Sequence, residues 1–135
     1  MRQENESFNQ TSEKERGLEN LTRFAVVGAG AVGCYFGGML ARAGLPVTLI
    51  GRPLHVEAVR NHGLRLETQS FDQTVKLAAS TEPDGVAGAD VVLFCVKSND
   101  SQSSAQQIAP FLGPNTVLLS LQNGVENADL IRSVL

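Results

Sequence analysis

The sequence predicts an α/β chain, a doubly wound and mostly parallel sheet with helices on both faces. Three observations carry that expectation. Short apolar, β-branched segments alternate with helix-periodic ones from residue 23 onward, the order that builds parallel sheets. The segment "ADVVLFCV" runs six apolar residues, Val91 to Val96, without a polar break, which suits a strand buried on both faces. Finally, "FAVVGAGAVGCYFGGMLARAG", residues 24 to 44, places six glycines in twenty-one positions, several of them where a helix must begin.

Residues 1–22, "MRQENESFNQTSEKERGLENLT", hold Glu4, Glu6, Glu13, Glu15 and Glu19 and few apolar side chains. Such a composition cannot offset its own ordering entropy, so a flexible polar leader is expected, without the apolar core of a secretory signal. The folded domain is expected over residues 23–135. "RFAVVG" reads as the first strand, and Val32, Phe36, Met39, Leu40 and Ala43 then recur at helical spacing, with Gly44 as the stop. "PVTLIG" is the second strand, with Pro46 tolerable at its first position. A helix from Pro53 to Asn61 follows, ending near Gly63. "LRLET" and "TVKLAAS", separated by "QSFDQ", alternate apolar and polar residues and predict a hairpin with one solvated face. After "ADVVLFCV" come a helix from Ser101 to Leu112, the strand "TVLLSL", and a helix from Glu126 to the end.

Within "GAGAVG", Gly28, Gly30 and Gly33 match G-x-G-x-x-G between a predicted strand and a predicted helix, the context that gives this pattern meaning in a Rossmann-type fold. Gly28 makes the tight turn, Gly30 lets backbone approach a pyrophosphate, and Gly33 lets the helix pack on the sheet. The free N–H groups of the helix start then attract the anion. Tight packing alone is the competing explanation, and Gly37 and Gly38 suit it.

The end of the second strand selects the cofactor. An Asp or Glu there would favour NAD by bonding the ribose 2'-OH, but "LIGRP" offers Gly51 and Arg52. A charge-assisted bond from Arg52 to a 2'-phosphate, about 1.5 to 3 kcal/mol, gives one to two decades of preference for NADP. Lys97 ends "VVLFCVK" and Asn123 follows "TVLLSLQ", so both are expected at the carboxyl edge of the sheet, where doubly wound folds bind ligands.

The remaining features exclude more than they suggest. A 42% hydrophobic chain of 135 residues buries one core, and a net charge of -3 argues against a nucleic-acid or anionic-membrane binder. No run is long and apolar enough to span a membrane, so the cytoplasm is the expected location. Cys34 and Cys95 have no ligand spacing and read as small reduced residues in apolar segments. His55 and His62 would stand about 10 Å apart along a helix, too far for one metal ion, and read as surface residues.

The ordered set "VVGAGAVGCYFGGMLARAG", "VTLIGR", the hairpin after "GLRL", "ADVVLFCVKSND" and "LSLQNGVEN" resembles the ketopantoate reductase (2-dehydropantoate 2-reductase) family over residues 23–135. The resemblance implies NADPH-dependent reduction of 2-dehydropantoate, a small 2-oxo acid, to pantoate in the route to pantothenate. It places Gly28, Ala29, Gly30, Ala31, Val32 and Gly33 on the pyrophosphate, Arg52 on the 2'-phosphate, and Lys97 and Asn123 toward the nicotinamide.

Family members continue into a helical second domain that supplies a lysine proton donor, and this sequence ends at Leu135 within a predicted helix. The cofactor domain is therefore expected to be incomplete relative to the family, to bind NADPH weakly and to be inactive alone, with self-association through an exposed sheet edge or apolar patch. A stand-alone NADP-binding module or sensor, and the first domain of another NADP-linked 2-oxo acid or hydroxyacid dehydrogenase, remain alternatives.

Overall fold

The computed structural model describes residues 21–97 and 100–121. Most of the expected leader, Asn123 and the helix expected from Glu126 lie outside these residues. β1 (Phe24–Val27), β2 (Val47–Ile50), β5 (Ala78–Ser80), β6 (Val91–Phe94) and β7 (Val117–Ser120) form one sheet in the order β5-β2-β1-β6-β7. Every pairing in it is parallel. β1 therefore sits in the middle, with Phe24 opposite both Val47 of β2 and Val91 of β6. The chain builds outward to one side of β1, then returns through β6 to build the other.

Alternate strand residues fill two cores, as a sheet covered on both faces requires. Ala25, Val27, Ile50, Val92 and Phe94 pack with Ala105 and Ile108 of α3 (Ser101–Ile108) on one face. Val26, Val47, Leu49 and Leu93 pack on the other with Val56 and Val59 of α2 (Pro53–His62). α1 (Ala31–Arg42) lies on this second face, where Gly33 and Gly37 sit against Val26. Its end is a Schellman turn: Gly44, at φ 91°, donates to Ala41 O and Leu45 donates to Leu40 O.

The hairpin departs from the expectation. β3 (Leu64–Glu67) pairs antiparallel with β4 (Asp72–Val75), not with "TVKLAAS" as a whole. Thr68 explains the early turn: its hydroxyl oxygen accepts from the N–H groups of Ser70 and Phe71, and its own N–H donates to Phe71 O at 2.8 Å. That closure sets Asp72 opposite Glu67 and uses up the strand by Val75. The remainder, Ala78–Ser80, joins the main sheet beside β2, where Ala79 is buried and its carbonyl accepts from Arg60 Nε. Arg65 reaches Asp72 through two bonds of 3.0 and 2.6 Å, and this guanidinium holds the exposed Asp72 carboxyl below its ordinary range.

α3 also ends earlier than Leu112. Pro110 has no N–H to continue the ladder, and Ala109–Phe111 form a 3-10 turn instead. A second 3-10 turn, Pro83–Val86, has no counterpart among the elements expected from the sequence and buries Val86 under the first core.

α1 is wedged between two layers. A methyl at Gly38 would come within 2.6 Å of Leu66 in the hairpin, while one at Gly33 would collide with the Gly28 carbonyl oxygen and stand 3.1 Å from Val26. At Gly30 it would meet nothing within 4 Å. Gly33→Ala is accordingly expected to lower the unfolding free energy by about 3 kcal/mol in a urea titration. Gly30→Ala should leave the urea midpoint near that of the parent chain.

Candidate functional site

Four strand ends, those of β1, β2, β5 and β6, are tied together at the carboxyl edge of the sheet. Gly28 N–H donates to Ile50 O at 2.9 Å, Cys95 N–H to Val27 O at 2.8 Å, and Gly51 N–H to Ser80 O at 3.1 Å. The chain turns sharply at Gly28, whose φ of 108° is open to glycine and strained for other residues. Space imposes the same choice, because a side chain there would begin 2.8 Å from the Cys95 carbonyl group. Only a glycine allows the first strand to leave the sheet so close to β6.

The reversal of strand order between β1 and β6 opens a crevice above this edge, where open α/β sheets bind ligands. A cavity of about 990 Å³ occupies it. Gly28, Ala29 and Gly30 form one wall, and Gly51, Arg52 and His55 another. Cys95, Val96 and Lys97 come from the end of β6, and Asp100, Ser103, Ser104 and Gln107 from the start and flank of α3. A smaller hollow of about 390 Å³, lined by Arg23, Pro46 and Lys76 among others, lies at the amino end of the sheet, away from the glycine turn.

Two helices begin at the large cavity with their N-termini open to a ligand. Gly30 caps α1 and Arg52 caps α2, neither with a side-chain bond, and neither helix has an acid in its first turn. Their first N–H groups have no intrahelical acceptor and carry the positive end of the helix dipole. Arg52 and Lys97 are both exposed and add formal positive charge, against the single carboxylate, that of Asp100, among the described lining residues. The cavity is suited to an elongated anion. Gly30 supplies the test of fit for a dinucleotide pyrophosphate, since the open space beside its α-carbon lets an oxygen approach the backbone directly.

Of the residues singled out in the sequence, Gly28, Ala29, Gly30, Arg52 and Lys97 line this one cavity. Ala31 and Val32 belong to the exposed first turn of α1, and Gly33 is buried beneath it. Asn123 lies outside the described residues. The sequence alone places His55 at the surface. It is exposed, yet its Nδ1 lies 2.9 Å from Ala29 O and its ring lines the cavity. The signal was present: three residues past Arg52, it falls in the first turn of α2, on the same edge as the glycine turn.

Cys34 and Cys95 are half-buried free thiols on the α1 face. The Cys34 thiol points at Ala29 O, 3.4 Å away, and burial raises its pKa. Burial also pushes Cys95 up to about 11, helped by the neighbouring Cys34. Among the described residues no group of His, Cys, Asp or Glu could hold a metal ion, and no helix is long and apolar enough to cross a membrane. Because the folded chain keeps the Cys95 proton beyond the ordinary value of 9.0, stability is expected to hold below about pH 9. It should fall as pH rises toward 11, where the unfolded chain alone ionises. Alkylation of Cys95 by iodoacetamide should keep accelerating over the same interval.

The comparisons with known proteins agree with this architecture. The family model described as ketopantoate reductase PanE/ApbA matches residues 24–135. A 2-dehydropantoate 2-reductase of Pyrococcus horikoshii is 38% identical over 109 residues, which cover 78% of this chain and 34% of the relative. A crystal structure of a PanE/ApbA family ketopantoate reductase from Ralstonia eutropha JMP134 superposes with a TM-score of 0.83 at 62% identity, over 84% of this chain and 38% of that one. A ternary structure of D-mandelate dehydrogenase with NADH and anilino(oxo)acetate gives 0.76 at 29% identity, over 84% of this chain and 37% of that one. The chain thus spans about a third of the length of the curated relatives it matches. With a parallel sheet in the order β5-β2-β1-β6-β7 and the glycine turn at its switch point, the chain belongs to the ketopantoate reductase PanE/ApbA family.

Proposed function

We propose that this chain binds NADPH and forms the cofactor-holding part of a cytoplasmic reductase whose substrate is 2-dehydropantoate. The observation that carries the reading is the convergence of the glycine turn, Arg52 and Lys97 on one cavity at the β1/β6 switch point. In this reading the segment from Gly28 to Gly33 cradles the pyrophosphate: Gly28, whose own N–H is taken by Ile50 O, makes the turn with Ala29, the N–H groups of Gly30, Ala31 and Val32 at the exposed start of α1 face the phosphates, and buried Gly33 seats the helix. Arg52 stands at the start of α2, where a guanidinium and a helix dipole would act together on a 2'-phosphate. Lys97 holds a cation at the end of β6 on the nicotinamide side, and Asn123 is assigned to the same side. Bound NADPH would supply the hydride for reduction of the ketone carbon.

The proton that must reach the ketone oxygen is a separate requirement. We assign it to residues outside the part of the reductase represented here, in keeping with the third of the relatives' length that the chain spans. The 135-residue chain is accordingly expected to bind cofactor without appreciable turnover of 2-dehydropantoate.

The likeness to D-mandelate dehydrogenase, a structure holding NADH, supports a second reading as part of an NADH-linked hydroxyacid dehydrogenase. Arg52 separates the two. Nicotinamide fluorescence titrations are expected to show NADPH bound about tenfold or more tightly than NADH, with the ratio collapsing toward one in Arg52→Ala. Equal affinities in the parent chain would favour the NADH reading, and no saturable binding to the folded chain would remove both.

A further inference from the structure

Two donors converge on one backbone carbonyl in the glycine turn. Ala29 O lies 2.9 Å from His55 Nδ1 and 3.4 Å from the Cys34 sulfur. A carbonyl can only accept, so the bond to His55 requires the hydrogen on Nδ1. The thiol is a weak donor, which leaves the imidazole as the main restraint on this oxygen. Ala29 itself is 8% exposed, and its methyl stands 2.5 Å from where a side chain at Gly51 would begin, so the residue is also held sterically.

The peptide that follows is free of such walls. Gly30 adopts φ -80° and ψ -171°, and beyond its own chain neighbours nothing lies within 4 Å of the place its side chain would take. Glycine populates positive φ as readily as negative φ, so half a turn of the Ala29–Gly30 peptide plane meets little resistance on its Gly30 side, and the accompanying change of ψ at Ala29 is opposed by the bonds to its carbonyl. In a trans peptide the carbonyl and the N–H point in opposite directions. Such a turn would exchange a donor for an acceptor on whichever side the ligand approaches. A phosphate requires the donor.

We propose that His55 is a positioning residue for the glycine turn: by holding the Ala29 carbonyl, it keeps the Gly30 N–H presented to the pyrophosphate of a bound dinucleotide. The inference rests on the NADPH reading for its ligand, but not for the restraint itself. Because the pyrophosphate is common to both cofactors, His55 acts on NADPH and NADH alike, whereas Arg52 acts on their difference. Its place in the first turn of α2 links the two elements, so that the helix carrying Arg52 at its cap also sets the orientation of the turn before α1.

The test compares the parent chain with His55→Ala and His55→Asn, the latter keeping an N–H donor close to the position of Nδ1. In fluorescence titrations His55→Ala is expected to weaken NADPH and NADH by about tenfold each, leaving their ratio unchanged. His55→Asn should recover most of that loss, and both variants should unfold at the parent urea midpoint. A second readout needs no cofactor: the Gly30 amide ¹⁵N–¹H resonance should shift and broaden in His55→Ala and remain near its parent position in His55→Asn. Parent-like affinities with a parent-like Gly30 resonance in His55→Ala overturn the proposal. A loss confined to NADPH also overturns it, since the ring would then act at the 2'-phosphate, as does a loss that asparagine fails to recover. If the parent chain binds neither cofactor while the Gly30 resonance responds as expected, the restraint is upheld and the NADPH reading falls.

Discussion

The first strand leaves the sheet through a gap that has no room for a side chain. Gly28 passes so near the Cys95 carbonyl that a methyl group would overlap it, and the strand ends on both sides are bonded to this point. Much else follows from that contact. Because β1 and β6 run side by side to their last residues, the chain can turn only upward, into the crevice and onto the start of α1. Gly33 then brings the helix down against the Gly28 carbonyl, which fixes where its free N–H groups face. The geometry of the cavity at this edge is thus a consequence of backbone packing, settled before any polar side chain contributes.

The same packing accounts for glycines within a helix, where each weakens the local conformation by about 1 kcal/mol relative to alanine. Gly37 rests on Val26 of the sheet, and Gly38 faces Leu66 of the hairpin. α1 is squeezed from two directions, and only small residues let both layers close. The outer side keeps the large residues: Val32, Tyr35 and Phe36 remain substantially exposed, with the two rings in edge-to-face contact at 5.4 Å. On the hairpin side, Arg42 secures the arrangement by lying over the Phe71 ring and donating to Gln73.

The parallel sheet was readable because a strand buried on both faces must be apolar at successive positions, and "VVLFCV" says so directly. The meeting of Gly28, Arg52 and Lys97 was readable for a related reason: every strand of a parallel sheet delivers its next residue to the same edge. What escaped the sequence were features decided by one side chain or one close approach and not by the apolar pattern. Periodicity could not place the hairpin turn, because the Thr68 hydroxyl, not the apolar pattern, closes it. It could not announce that Ala78–Ser80 would leave the hairpin for the main sheet, since an alanine pair looks alike in either. His55 is exposed, as a surface residue should be, and its further contact with Ala29 O depends on how closely the glycine turn approaches the start of α2, which spacing along the chain does not show. The proximity of Cys34 and Cys95 likewise depends on two strand ends and a helix start meeting, which spacing in the chain does not reveal.

The central position of β1 has a consequence for how the molecule assembles. Its partner β6 is distant in the chain, as the bond from Arg23 N–H to the Asp90 carboxylate across 67 residues shows. The β1-α1-β2 unit closes from nearby segments, but the other edge of β1 must wait until residues 91–94 have been synthesised. Contacts of such sequence separation form slowly, because the intervening loop has to close before they reward it. For that interval an apolar strand with unsatisfied backbone groups faces solvent, the kind of surface that pairs with a neighbouring nascent chain. Refolding yield should therefore depend on protein concentration more steeply than native solubility does, with the vulnerable moment set by the arrival of β6.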